Sequence, residues 1–345
     1  MAVRFLMREP AEASEWAAWD SYVLNHPESE PFHLSGWRRA VQEAYGLPCF
    51  WLGAWEGGVL RGVLPLVKAP APFGGANLTS CAFAVGGGIL AESEEARAAL
   101  AAEAEALGLR LGVGAVELRG GEAPEDWGVK EGVYAGFRRE MAETSEKRLL
   151  QIPRKKRADV RKAMEADLKI EHEAALEPFH AIYSRSLRDL GTPTPSLRWM
   201  RALKAAFGES CHVTLVHGPA GPVAALMSFE HRDRVMPYFG GALPEARALR
   251  AYDRLYWEEQ ERAAAKGLKV FDFGRSKFGT GAFDYKTHWG FAPQPLVQRY
   301  RLVRASEAPD VNPLSPKYRR FVALWRRLPL WTANLLGPHL ARRLG

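Results

Sequence analysis

Thirteen residues at 37–49, WRRAVQEAYGLPC, lie over WMRALKAAFGESC at 199–211 at a constant offset of 162. Trp37 and Trp199, Arg39 and Arg201, Ala44 and Ala206, Gly46 and Gly208, and Cys49 and Cys211 coincide, Tyr45 is matched by Phe207, and eight of the thirteen positions agree or nearly agree. The segments after the two copies agree in kind. A short strand, a glycine turn (WEGG at 55–58, HGPAG at 217–221) and a second apolar strand come first. An alanine-rich amphipathic helix closed by Gly108 or Gly267 comes next, and then another strand. A repeat of this period means one structural unit built twice. The fold expected is therefore α/β (α+β), with two similar units filling most of the 345 residues. A cleft between two such units would suit an extended ligand.

The net charge of +7 is local rather than general. Residues 313–345 carry seven Lys or Arg and no acid, which leaves the body with forty charges of each sign. A polyanion-binding surface is thus not implied for the whole protein. In the tail, Tyr318, Phe321, Leu324, Trp325 and Leu328 form an apolar face interleaved with Arg319, Arg320, Arg326 and Arg327, and Trp331 comes shortly after. Such a helix either lies on an anionic membrane or packs back on the body. Neither a secretory start nor an apolar run of spanning length occurs, so a cytoplasmic protein is expected, with peripheral contact at the inner membrane face through 313–345. Cys49, Cys81 and Cys211 are too scattered for a metal or CxxC site and read as reduced, buried thiols.

The densest chemistry lies in FDFGRSKFGTGAFDYKTHWGF, 271–291. Phe271 and Phe273 read as a buried strand ending at Gly274, with Asp272 on the opposite face. Arg275, Ser276 and Lys277 lead to Gly279, Thr280 and Gly281, where the glycines allow close approach of backbone amides to a ligand or a tight turn. Lys286 stands among Phe283, Tyr285 and Trp289, an apolar setting that magnifies a cation's effect. In IPRKKRADVRKAMEADLKI, 152–170, Pro153 opens a helix whose buried stripe is Val160, Met164 and Leu168. Arg154, Arg157 and Arg161 form a cationic stripe beside it, a solvated face or a phosphate grip. Tyr238, Asp253 and Glu258 are weaker candidates near a strand-to-helix junction. GxSxG, HExxH, Walker and GxGxxG patterns are missing, which excludes the commonest hydrolase, metalloprotease, nucleotidase and dinucleotide chemistries.

These segments, with LRDLGTPTPS at 187–196, PYFGGA at 237–242 and the basic ending, resemble the FemAB-like proteins associated with exosortase and PEP-CTERM systems. The resemblance spans nearly the whole chain. It implies two tandem GNAT-like acyltransferase domains, placed at 1–145 and 146–305, with a basic amphipathic helical tail at 306–345. In relatives that build peptidoglycan cross-bridges the donor is an aminoacyl-tRNA and the acceptor a precursor amine. Their FK element near the end of the second domain is matched by Tyr285 and Lys286, and their TR..IR.A element by Arg157 and Arg161. The coiled-coil arm of some relatives is absent, and RSKFGTG has one residue too many for the acetyl-CoA pyrophosphate loop of ordinary GNAT enzymes.

The resemblance implies Lys286 as the catalytic cation; an acyl-transfer oxyanion would also call on amides of Phe278 to Gly281, with Asp272 as general base if it faces the cleft. Substrate contacts fall to Arg39, Arg157, Arg161, Tyr238, Arg275, Ser276, Gly279, Thr280, Gly281 and Trp289. No permanent cofactor or metal is expected. The co-substrate is an aminoacyl-tRNA or an acyl-CoA, and the partner is a small-molecule or lipid-linked envelope precursor. An acyl-CoA-dependent N-acyltransferase and a non-catalytic membrane-associated scaffold are the rival readings.

Overall fold

In the computed structural model, which describes residues 5–71, 74–307 and 316–343, the repeated motif is twice a helix, a glycine at positive φ and a strand starting at the shared cysteine. The first half runs β1 (Leu6–Arg8), α1 (Ala13–Asn25), α2 (Ser35–Tyr45), the hairpin β2 (Cys49–Glu56) and β3 (Val59–Pro70), then β4 (Ala76–Ser80), β5 (Leu90–Ala91), α3 (Glu94–Leu111) and β6 (Ala115–Arg119). The second half runs β7 (Gly128–Glu140), α4 (Ser145–Leu150), α5 (Arg154–Glu165), β8 (Lys169–His172), α6 (Leu176–Leu190) and α7 (Leu197–Phe207). It continues with β9 (Cys211–Gly218), β10 (Gly221–His231), β11 (Arg234–Ala242), α8 (Ala251–Ala265), β12 (Val270–Lys277) and α9 (Gly281–His288). Strand β13 (Gln294–Leu302) and helices α10 (Pro316–Trp325) and α11 (Leu330–Ala341) complete the described chain.

The repeat has a packing cause. Trp37, Ala40 and Val41 of α2 are fully buried, and Trp199, Ala202 and Leu203 of α7 occupy the same i, i+3, i+4 stripe. Each helix then feeds an antiparallel hairpin, β2 with β3 and β9 with β10.

Two compact units result, one of Met1–Glu131, Leu296–Asn312 and His339–Gly345, the other of Gly132–Pro295 and Pro313–Pro338. The strands of the first run β1-β2-β3-β4-β6-β13, with β5 on β3, and those of the second β7-β12-β11-β10-β9-β8. These boundaries differ from the expected 145 and 305. Residues 132–140 of β7 precede the second copy of the repeat yet pair with β12, and β13 comes after that copy yet pairs with β6. Each unit thus receives one strand from beyond its own repeat.

Each unit contains one parallel pair, joined across a crossover helix. In the first, Leu78 and Thr79 of β4 face Val116 and Glu117 of β6; in the second, Arg234 and Val235 of β11 face Val270 and Phe271 of β12. Both pairs register over only two residues; beyond them the Arg119 amide donates to Ser80 Oγ, and the carbonyls of Phe273 and Arg275 accept from Lys286.

Several local expectations change. Helix α3 runs past Gly108 and ends at Gly112, φ 62°. Gly108 is needed for contact, because a Cβ there would lie 2.7 Å from Val116 Cγ2. Met164 is 39 % exposed, and Val160 with Ala163 makes the buried stripe of α5. Strand β12 does not stop at Gly274 but bulges there, φ 65°, and continues to Lys277. The aromatic segment after it is the helix α9. The three cysteines are buried and free.

Candidate active site

Helix α9 has eight residues, too few to persist without tertiary support. Its N-terminus is capped by Thr280, whose Oγ1 accepts from the Phe283 amide and donates to Lys277 O. At its other end, Arg139 of β7 donates to the carbonyls of Trp289, Gly290 and Gln151, with its guanidinium 4.1 Å above the Phe291 ring. Burial lowers the Arg139 pKa to about 10. Midway, Tyr285 donates its hydroxyl to Asp253 Oδ1 at 2.7 Å, and Lys156 of α5 reaches the same oxygen at 2.5 Å while sitting 4.6 Å from the Tyr285 ring. Fully buried Trp289 packs against Tyr256, Phe273 and Tyr285.

This framework holds Lys286. Its Nζ donates to Phe273 O at 2.6 Å and Arg275 O at 2.9 Å, the two carbonyls flanking the β12 bulge. The Phe137 and Phe273 rings lie 5.4 and 5.8 Å from it. An ammonium has three donors, so one remains for a ligand. Burial lowers the Lys286 pKa to about 7; Asp272 opposes the shift and Arg275 assists it. A cation in this setting can stabilise a developing oxyanion far better than one in water.

The other expected residues divide. Asp272 is buried, but its Oδ2 accepts from Arg138 Nε and Nη2 at 2.9 and 2.8 Å, with Arg234 Nη1 at 3.8 Å, and its Oδ1 accepts from the Gly274 amide at 2.8 Å. It shapes the bulge and is engaged too fully to serve as a general base. The Phe278 amide donates to Val133 O at 3.2 Å and is not available to an oxyanion. Trp289 is core rather than substrate-binding surface. Arg275 lies 4.6 Å over the Tyr134 ring and Ser276 is buried in β12. Gly279, φ 72°, makes the turn into α9, and Gly281 is the first residue of that helix. Tyr238 of β11 packs edge-on against Phe229 and Phe239. Arg39 belongs to α2 of the first unit.

Arg157 closes α4, donating through Nε to Ile152 O at 3.0 Å and through Nη2 to Leu150 O at 3.1 Å. These bonds take two of its five donors, so the rest of the guanidinium can still face a phosphate. Arg161 is exposed and, with Arg154, Lys155, Arg157 and Ala158, lines an open groove of about 630 Å³. Sequence reasoning did not single out Lys156, Arg138, Arg139 or Phe137. The cationic run around Lys156 hid the one lysine that faces inward, and the β7 residues lie before the second repeat.

Residues 147–287 match a protein-family model described as "Acetyltransferase (GNAT) domain". No curated protein matches the sequence. Among solved structures, FemX superposes with a TM-score of 0.65 at 12 % identity, covering 85 % of this chain and 96 % of that one. A tandem GNAT protein from the clavulanic acid biosynthesis pathway gives 0.56 at 12 % identity, covering 88 % and 100 %. L-PGS from Bacillus licheniformis gives 0.53 at 11 % identity, covering 96 % and 99 %. At such identities these likenesses concern the fold.

A GNAT domain implies an acyl-CoA co-substrate, so the fit to its pyrophosphate is a test. The helix N-terminus that would receive such an anion after β11 is that of α8. Arg250 stands there at φ 51°, and the buried carboxylate of Asp253 lies in the first turn. Asp253 already takes the favourable place for negative charge at the helix dipole. The residues at α8 therefore do not fit a pyrophosphate. Residues 147–287 form a GNAT acetyltransferase domain within a chain of tandem GNAT fold, and the protein is an acyltransferase.

Proposed function

We propose that this FemAB-like chain transfers an aminoacyl or acyl group to an amine of a cell-envelope precursor, small or lipid-linked and related to peptidoglycan or exopolysaccharide, in the setting of an exosortase and PEP-CTERM system. The observation that carries the reading is Lys286, a desolvated ammonium fixed by two carbonyls with a third donor left over. Charged tRNA is the donor favoured, because the α8 N-terminus does not suit a pyrophosphate and the α5 groove is lined by cations.

In this reading the acceptor nitrogen attacks the donor carbonyl and a C–N bond forms. The carbonyl oxygen takes up negative charge toward Lys286 Nζ. Collapse breaks the C–O ester bond, and the proton lost by the amine ends on the departing oxygen. The test is transfer from charged tRNA, and separately from acetyl-CoA, to an amine acceptor by wild type and Lys286→Ala. The expected outcome is transfer from the tRNA that is reduced about 100-fold or more in the variant, as for removal of a main oxyanion donor, with unchanged circular dichroism. Full activity in Lys286→Ala would remove the assigned role, and transfer from acetyl-CoA alone would replace the donor.

A further inference from the structure

The basic ending folds back and still leaves an apolar face uncovered. Helix α10, and α11 up to Pro338, belong to the second unit and dock on it. Val322 meets Gly191, where a Cβ would lie 2.5 Å from Val322 Cγ1, and Gly337 lies so close to Thr194 that a Cβ would stand 2.8 Å from its carbonyl oxygen. Arg188 donates to Leu328 O at 2.8 Å and Arg326 to Leu190 O at 3.3 Å. Trp325 and Ala333 are buried.

The opposite side shows a different pattern. On α11, Trp331 and Leu335 are 70 % and 62 % exposed, one turn apart and turned away from the Ala333 and Gly337 stripe. On α10, Leu324 is 65 % exposed, one turn after exposed Arg320, and exposed Arg327 stands in the turn that follows the helix. Single exposed leucines are ordinary, but a run of apolar side chains in consecutive helices with tryptophan among them is not. Tyr318 and Arg319 lie in α10, outside the described side chains.

We infer that the outward face of α10 and α11 is a docking surface for the anionic headgroups and acyl boundary of a lipid bilayer. Charge complementarity selects this occupant, because residues 313–345 hold seven basic residues and no acid. A protein partner would not need that imbalance, and a nucleic acid would have no use for exposed Leu324, Trp331 and Leu335. Arginines flanking leucine place cations at phosphate depth while the apolar side chains enter below them. The docked side fixes the orientation of the face, so binding requires no refolding of the tail. This surface is independent of the role assigned to Lys286 and survives or fails by itself.

The test is co-sedimentation of the full chain with vesicles of phosphatidylcholine alone and of phosphatidylcholine mixed with phosphatidylglycerol. Binding is expected to the mixed vesicles and to weaken with added salt. Replacing Leu324→Ser, Trp331→Ser and Leu335→Ser together should reduce it at least roughly tenfold. The melting temperature should stay near wild type, because these side chains are exposed in the folded protein. Failure of the wild type to sediment with anionic vesicles at low salt overturns the inference, and so does equal binding by the triple variant. A dimer in solution that the triple variant converts to monomer would assign the face to a second copy instead. RNA binding retained by the triple variant but lost in Arg320→Gln with Arg327→Gln would assign it to nucleic acid.

Discussion

At the scale of single residues, the central quantity is the proton on Lys286. Its pKa of about 7 lies far below the usual lysine value because the ammonium is desolvated. An oxyanion stabiliser must be charged, so transfer should decline as pH rises through about 7. Lys286→Arg keeps its charge at all these pH values and should remove that limb from the kcat/KM profile. If wild-type activity instead climbs through the same point and the arginine variant is dead, the neutral amine is the working form. The same shift has a stability consequence of definite sign. Between about 7 and the ordinary lysine value the unfolded chain binds the extra proton, so stability rises with pH across that window. Lys286→Met should abolish this rise in urea denaturation tracked over pH. Asp272 behaves differently. Asp272→Asn removes the charge that Arg138 and Arg234 share and should cost about 1 kcal/mol, because the Arg138 side chain is 41 % exposed and screened by water. An Asp272→Asn protein that keeps full stability in denaturant melts would show that the ion pairs do not hold the bulge.

At the scale of elements, α9 is a short helix given its position by neighbours. Tyr285→Phe deletes one hydroxyl that donates to a buried carboxylate also held by Lys156. A loss of about 1 kcal/mol is expected, with kcat reduced more than KM because α9 carries Lys286. Unchanged kcat would show that the helix is fixed without that bond. The same logic applies to α11, whose backbone at Gly337 touches Thr194. Gly337→Val should release α11 and be seen as faster proteolysis within 330–341, while the cores around Trp37 and Trp199 stay protected. The helical repeat was legible in the sequence because its Trp, Ala and aliphatic stripe buries identically in both halves. An aromatic setting for Lys286 was legible, but not its rings: those near Nζ are Phe137 and Phe273 rather than Phe283, Tyr285 and Trp289. The inward turn of Lys156 was not legible, since a basic run on an amphipathic helix gives no sign of which member faces a distant carboxylate. Nor was the bulge at Gly274 readable, because it arises from the register between β12 and β7, which no local pattern specifies.

At the scale of the whole molecule, the sequence repeat and the folded units do not share boundaries, and the reason is strand pairing. A repeat read along the chain reports which helices and hairpins resemble one another. It carries no information on which strand completes each sheet, because β7 and β13 both read as ordinary alternating segments. The pairing of β13 with β6 places Tyr300 opposite Glu117 and Arg299 opposite Leu118, and Tyr300 also lies against Gly128, where a Cβ would stand 2.4 Å from its ring. A substitution late in the chain should therefore damage the early unit. The carbonyl of Val297 accepts from the Gly120 amide and the Val303 amide donates to Gly114 O, so by antiparallel alternation Arg299, not Tyr300, exchanges backbone bonds with β6, and Arg299→Pro removes an amide from this ladder and leaves β6 with a broken partner. Hydrogen exchange should then accelerate in 115–119, while 211–218 and 221–231, paired with each other in the second unit, should keep their protection. The opposite distribution, with loss in β9 and β10 and none in β6, would mean that β13 completes the sheet of the second repeat and that the chain divides where the repeat does.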